Sequence, residues 1–513
     1  MIVATQNADP ASERDPAAAG TAGAEPKRWL ILGVICVAQL MVVLDVTVMN
    51  LALPSAQDDL DITNADRQWI VTAYSLAFGS LLLFCGRLVD LIGRKATFLI
   101  GAGGFAAASA VGGAAVNFEM LVTARACQGA FGALLAPAAL ALLTTTFTDP
   151  KERGKAFGAF GAVAASGAGL GLILGGSLTS SLSWRYCMYI NLLFAGIVML
   201  GASLPMAKGV RKPGARLDIP GVVAVSGSMF CLVYGFSNAA SHSWGTPSTW
   251  GFLAAGGVLL LVFVLWQARA AQPLLPPWLV LDRNRGGAYL TMLIVGACMF
   301  GIFLFLVYYM QMTLDYSAIT SGVALLPMVV LTAVGANVGN IVVMPRFGPK
   351  PLVIAGLLLN ATGMALLTGI DVDSAYASAL LGPTMVAGLG MGFIFASVLR
   401  TGTSGVAPQD AGIASASIST GQQLGGAIGT ALLNSIAAGA TTAYLDSHVQ
   451  GRPTPAQFHL AAIDGYTTVF WWCGAIFAAG AVICGTLLRS GPLPSPVGAP
   501  GPVPAKLPET AGS

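Results

Sequence analysis

Charge is what this sequence most lacks. Asp, Glu, Lys and Arg make up 9% of its 513 residues, against roughly 25% in soluble domains, and the mean hydropathy is +0.76. So few charges cannot cover a water-facing surface, and the chain is expected to be an integral membrane protein. Histidine is nearly absent: His242, His448 and His459 all fall in expected outer loops. The serine of GTSG (402–405) therefore has no histidine base within reach, and that resemblance to a protease motif is read as chance. No G-x-x-x-x-G-K-[ST] loop occurs, and no loop is long enough for a nucleotide-binding domain. An ATP-driven pump is thereby excluded, and any energy must come from a gradient or a partner chain. No enzymatic activity, cofactor, metal centre or nucleic-acid partner is expected. The 8 cysteines have no paired spacing in any loop and read as small apolar residues, which excludes a disulfide framework.

No continuous apolar stretch precedes Trp29, so no signal peptide is expected. Residues 1–28 and the Pro- and Gly-rich 489–513 are expected to be disordered cytoplasmic tails. Between them lie fourteen apolar segments, each near the roughly 20 residues a helix needs to cross the bilayer core. Their limits are 29–51, 68–89, 96–116, 118–143, 155–180, 186–206, 217–239, 250–270, 288–311, 318–342, 351–370, 376–400, 411–440 and 467–488. Lys and Arg accumulate in cytoplasmic loops. With the N-terminus inside, the cytoplasmic segments hold 21 of the 25 basic residues, and only Arg125 falls within a span. Adding or removing one span would scramble this alternation. The expectation is an all-α protein with fourteen transmembrane helices in the cell membrane and both termini cytoplasmic.

Of the 22 acidic residues, one alone falls in a span interior: Asp45. An acid at a helix centre costs about 2.5–3.5 kcal/mol on insertion scales, and such residues usually face a bundle interior and serve function. Asp45 lies six residues before the outer end of span 1, and Arg125 seven residues after the outer start of span 4. At 1.5 Å per residue both sit roughly 9–10 Å below the outer edge, so a direct or water-bridged pair is possible. Two roles are open for it. One is a structural salt bridge; the other, adopted here, is a carboxylate that trades its proton against substrate.

The loop GRLVDLIGRKATFL (86–99) resembles the signature loop of the major facilitator superfamily, with Gly86, Leu88, Asp90, Gly93, Arg94 and Lys95 in place. LDVTVMNLALP (44–54) and LVTARACQGAFGA (121–133) resemble the first-span and fourth-span motifs of that family's drug:proton antiporters, the latter with Arg125, Gln128 and Gly129. GAGLGLILGG (167–176) is similar to the span 5 antiporter motif, with Leu172 where proline is usual. SWRYCMYINLL (183–193) resembles the entry to span 6, with Leu193 in place of a common proline. In the second half, VVMPRFGPKP (342–351) occupies the place of the Gly86 loop: Gly348 and Lys350 align with Gly93 and Lys95, but Pro345 replaces Asp90.

Fourteen spans point to the family's second, EmrB/QacA-like antiporter group. The resemblance implies a six-helix bundle over 29–206, two inserted helices within 207–275 and a second six-helix bundle over 276–488, rocking about a central cavity. It implies efflux of hydrophobic antibiotics or related amphiphiles, driven by protons and giving drug resistance. Import or facilitated passage of a small metabolite on the same fold is the alternative. Asp45 and Arg125 would couple the proton; Gly86, Asp90, Gly93, Arg94 and Lys95 would form a conformational latch. Asp90 is expected to meet a helix N-terminus, most plausibly that of span 11 near Pro351.

Gly167, Gly171 and Gly175 recur at four-residue spacing, with Gly176 beside them, and would give span 5 a smooth packing face, although a chain with 64 glycines produces such spacings in general. Gly421, Gly425 and Gly429 repeat the pattern in span 13. Gln39, Tyr74, Gln128, Asn191, Gln311, Gln422 and Gln423 are the expected substrate-cavity residues. For Gln422 and Gln423, helix-to-helix hydrogen bonding serves equally well. With one intramembrane acid, the expected cargo is neutral, zwitterionic or singly charged.

Overall fold

Lipid offers the backbone no hydrogen-bond partners, so a chain this apolar has to satisfy its peptide groups internally, and helices do so segment by segment. The computed structural model of the chain describes residues 25–491 apart from 63, 148, 202–216, 242–243, 408–409 and 450–452. Among the described residues there are helices and no strand. In order they are α1 (Glu25–Asp59), α2 (Asn64–Ile92), α3 (Arg94–Gly113), α4 (Phe118–Thr146), α5 (Pro150–Ser181), α6 (Arg185–Leu200), α7 (Ile219–Ser241), α8 (Pro247–Gln267) and the short α9 (Pro277–Leu281). Then come α10 (Arg283–Tyr308), α11 (Ala318–Ala324), α12 (Leu326–Val338), α13 (Met344–Phe347), α14 (Pro349–Leu367), α15 (Leu381–Gly402), α16 (Ala411–His448) and α17 (Pro455–Leu487). Single π-helical turns follow α10 and α12 and precede α15.

Twelve of these helical stretches are long and apolar enough to cross a membrane, and they fall on twelve of the fourteen expected segments. The other two segments, 155–180 and 186–206, fall on α5 and on α6, an apolar helix of 16 residues. Most of the expected tails, and most of the linker after span 6, lie outside the described residues. Several helices run past their expected limits. α17 begins at Pro455 rather than 467, because Thr454 and Gln457 cap its first turn reciprocally. In the same way Asp58 and Asp59 stand at the end of α1, Asp446 stands in the last turn of α16 and Asp464 stands inside α17, rather than in loops.

The two halves pack by the same scheme. In the first, α1 lies against α5, α2 against α4, α3 against α4, and α6 against α3; in the second, α10 lies against α16, α12 against α15, α14 against α15, and α17 against α14. Glycine explains the closest of these contacts. A Cβ on Gly167, Gly171 or Gly175 would come within 2.2, 2.6 or 3.0 Å of Val43, Thr47 or Val48 of α1. On α16, a Cβ on Gly425 or Gly429 would come within 2.0 or 1.7 Å of the carbonyl oxygen of Leu293 or Ala297 of α10. The loop glycines correspond too: Gly93 has φ 106° and Gly348 φ 77°, values that only glycine adopts without strain. α7 pairs with α8 and also lies against both α2 and α16, touching each half.

Candidate functional site: a carboxylate enclosed by donors

Asp45 sits near the middle of α1 with 2% of its surface exposed. Arg125 and Gln128, one turn apart on α4, share a face at that spacing. Arg125 Nη1 stands 2.5 Å from Asp45 Oδ2 and also donates to Gln128 Oε1 at 2.9 Å. The other carboxylate oxygen accepts from Gln128 Nε2 at 3.0 Å and from Asn191 Nδ2 of α6 at 2.7 Å. The sequence places the two charges at matching depth, and here they pair directly.

The ring extends outward by one layer. Gln128 Nε2 donates to Ser109 Oγ of α3 at 2.7 Å, and Ser109 passes the chain on to the Phe105 carbonyl at 2.8 Å. Arg125 Nε donates to the Ile70 carbonyl of α2 at 3.3 Å, and the Arg125 guanidinium lies 4.5 Å from the centre of the Tyr74 ring. Arg125, Gln128, Asn191, Ser109 and Tyr74 are all buried. A charge pair so enclosed is held by geometry and hydrogen bonds rather than by water, the condition under which an intramembrane pair persists. Two polar atoms in the cluster have no hydrogen-bond partner among the described residues, Tyr74 Oη and Asn191 Oδ1.

Gln128 and Asn191, expected in a substrate cavity, are instead spent on Asp45. Tyr74 reaches the cluster through Arg125. Gln39, Gln311, Gln422 and Gln423 are half-buried on α1, after α10 and on α16, and none of them hydrogen-bonds to the cluster among the described residues. Gln311 Nε2 is buried without a hydrogen-bond partner among the described residues. Ser109 was not anticipated: a single hydroxyl in an Ala- and Gly-rich span has no spacing signature.

The glycines of α5 pack on the back of α1. Val43 and Thr47 flank Asp45 by two residues on either side, about 200° around the helix from it. Asp45 therefore faces α4 and α6 while α5 grips the opposite side. Gly176 is half-buried on the same helix; the side chain of Leu172 lies outside the described residues.

The Gly86 loop joins the two halves, but not through the expected helix. Asp90 accepts from the backbone N–H of Gly412 at 2.9 Å and of Ile413 at 3.2 Å, in the first turn of α16, not from the start of α14. Gly86 explains the choice: a Cβ there would stand 2.3 Å from Ala416 Cβ, so α2 crosses α16 at backbone distance and delivers Asp90 to the free amides and positive end of that helix. Arg87 adds an ion pair with Asp410 at 3.8 Å. Arg94 is buried beside Asp90, near enough for their charges to attract; Lys95 is half-buried in the first turn of α3.

Residues 35–430 match the Major Facilitator Superfamily. The chain is 44% identical over 470 residues to the puromycin resistance protein pur8 of Streptomyces alboniger, which covers 91% of this chain and 93% of that one. It is 38% identical over 420 residues to the cephamycin export protein CmcT of Amycolatopsis lactamdurans, covering 80% and 86%. Among solved structures it superposes on the proton:xylose symporter XylE bound to 6-bromo-6-deoxy-D-glucose, with a TM-score of 0.61, 15% identity and coverage of 91% and 97%, a likeness that speaks for the fold. By the family match and by these relatives, the chain belongs to the major facilitator superfamily.

Proposed function

We propose that this chain is an efflux transporter that expels hydrophobic or amphiphilic antibiotics in exchange for protons, by alternating access, and so confers drug resistance. The relatives named for puromycin resistance and cephamycin export support the cargo class. The observation that carries the coupling is Asp45, a buried acid whose two oxygens receive donors from α4 and α6. We further read the chain as fourteen spans, two six-helix bundles with α7 and α8 inserted, and place the end bearing Asp90, Arg87 and Arg94 in the cytoplasm.

An external proton arriving at Asp45 cancels the charge that Arg125, Gln128 and Asn191 hold. The three donors lose their strongest acceptor and α1 is released from α4 and α6. Arg125, now uncompensated, favours departure of a cationic cargo and reorientation. Loss of the proton to the cytoplasm restores the pair. At about 2.3 kcal/mol per charge per 100 mV, one proton sustains a roughly fifty-fold gradient of a neutral compound.

The test is proton movement in proteoliposomes of wild type and Asp45→Asn, with puromycin among a panel of hydrophobic antibiotics. Wild type is expected to exchange protons for at least one compound that the variant binds but does not exchange. Normal exchange by Asp45→Asn would refute the coupling role.

A further inference from the structure

At the end of the molecule where α2 meets α16, a second group of charges takes no part in the Asp90 contact. Arg153 lies in the first turn of α5, just before the expected start of span 5, and Arg400 lies in the last turn of α15. They come from opposite halves. Arg153 Nη2 donates to Thr403 Oγ1 at 3.1 Å, across the junction and three residues beyond Arg400. The Arg153 guanidinium stands 5.5 Å from the ring of Phe157.

Among the described residues neither arginine has a carboxylate within ion-pair distance. Of the acids near them, Asp90 accepts from the α16 amides, Asp410 pairs with Arg87 at 3.8 Å, Asp149 accepts from the Glu152 N–H at 2.9 Å, and Glu152 faces Arg28 at 3.6 Å with its Oε2 making no hydrogen bond. Arg153 Nε, Arg400 Nη1 and Thr401 Oγ1 are shut off from solvent and have no hydrogen-bond partner. Burial and the like charge of Arg400 both work against the charge of Arg153. Two half-buried guanidinium groups that repel each other, each with a donor unspent, are suited to take up a counter-charge. The arginine fork matches oxyanions in shape and hydrogen-bond number, and the start of α5 adds its positive helix end.

We propose that Arg153 and Arg400 bind an oxyanion of phosphate chemistry between the two halves. A free inorganic phosphate and the headgroup phosphate of an anionic phospholipid both have that chemistry. Because each half supplies one arginine, the bound anion ties the halves together at this end. The site is independent of what is transported and of Asp45.

The experiment uses the full chain and has two arms. In non-ionic detergent, thermal unfolding is followed against inorganic phosphate, with chloride at matched ionic strength as the reference. In lipid nanodiscs, phosphatidylcholine alone is compared with phosphatidylcholine containing phosphatidylglycerol. Each arm includes Arg153→Gln, Arg400→Gln and Arg400→Lys. If free phosphate is the occupant, wild type is stabilised saturably by phosphate over chloride, and each Gln variant weakens the midpoint by about tenfold or more. If a lipid is the occupant, phosphate does little and only phosphatidylglycerol stabilises wild type, with the gain lost in the Gln variants. Arg400→Lys keeps the charge and loses the fork, so its response is expected to be intermediate; it also serves if a Gln variant does not fold. Equal responses of wild type and all variants in both arms, or a wild type that responds neither to phosphate beyond chloride nor to phosphatidylglycerol, would overturn the proposal.

Discussion

Asp45 is held by three side chains from two helices, and each has a different cost of removal. Arg125→Gln leaves a buried carboxylate without its counter-charge, which is expected to cost about 3–5 kcal/mol. Pairing it with Asp45→Asn removes the orphaned charge as well, so the double variant is expected to regain most of that loss. Thermal unfolding of the four proteins in detergent checks this, and simple addition of the two single losses would contradict it. A second carboxylate lies outside the membrane-spanning helices. Burial works against the charge of Asp218, but hydrogen bonds from Trp266, Gln267 and the backbone of Gly221 and Leu274 outweigh it and hold the carboxyl below its ordinary value of 3.8. Its folded value is depressed, so its stabilisation is fully present above pH 3.8 and fades as pH falls through the lower folded value. Asp218→Asn is therefore expected to narrow its stability deficit only in strong acid, read as unfolding temperature against pH. At this scale the sequence was most informative: one acid and one base inside the spans, at equal depth, named each other. The groups around them were less legible, because Asn191 reaches Asp45, and Ser109 reaches Gln128, from helices whose rotation no single-span pattern reveals.

Helix packing depends on where a methyl group will fit. Gly425→Ala and Gly429→Ala would press Cβ onto carbonyl oxygens of α10 at 2.0 and 1.7 Å, while Gly171→Ala would meet the Thr47 side chain at 2.6 Å. Backbone yields less than a side chain, so the α16 variants are expected to lose more folded protein than Gly171→Ala. Gly196 has nothing within 4 Å of its Cβ position, and Gly196→Ala is expected to be stable or slightly better, by about 0.4–1 kcal/mol. Yield of monodisperse protein in detergent ranks the four; a damaging Gly196→Ala or a harmless Gly429→Ala would break the account. Spacing alone marked these glycines but not their partners. Span limits erred for a related reason: hydropathy sees the lipid-facing stretch, whereas α1 and α16 run on through polar residues that hydropathy counts as loop and α17 starts at its Thr454–Gln457 cap.

The two halves share a packing scheme, and the likeness fails where they meet. Asp90 and Arg87 reach across to α16, whereas the corresponding loop of the second half has Pro345 and offers α5 no carboxylate. The expected partner of Asp90 was wrong because the sequence records which helices begin with free amides, not which of them lies close; the Gly412 amide of α16 is 322 positions away. Exchanging the charges of Arg87 and Asp410 tests this junction. Arg87→Asp and Asp410→Arg are each expected to weaken closure at that end, and together to restore part of it, with a coupling of about 0.5–3 kcal/mol. Distances between probes on α2 and α16, measured by double electron-electron resonance, report it; strict additivity would deny the contact.

The placement of α7 has one more consequence. Thr72 and Ser237 join it to α2 at 3.3 Å, and Trp244 just after it donates to Ser435 of α16 at 2.6 Å. The seam on that flank is caulked by a helix that belongs to neither half. At the other junction α5 packs directly on α11, α12 and α15 of the second half. Parting α2 from α16 therefore also strains the hydrogen bonds that α7 and Trp244 make to them, whereas parting α5 from α12 involves the two halves alone.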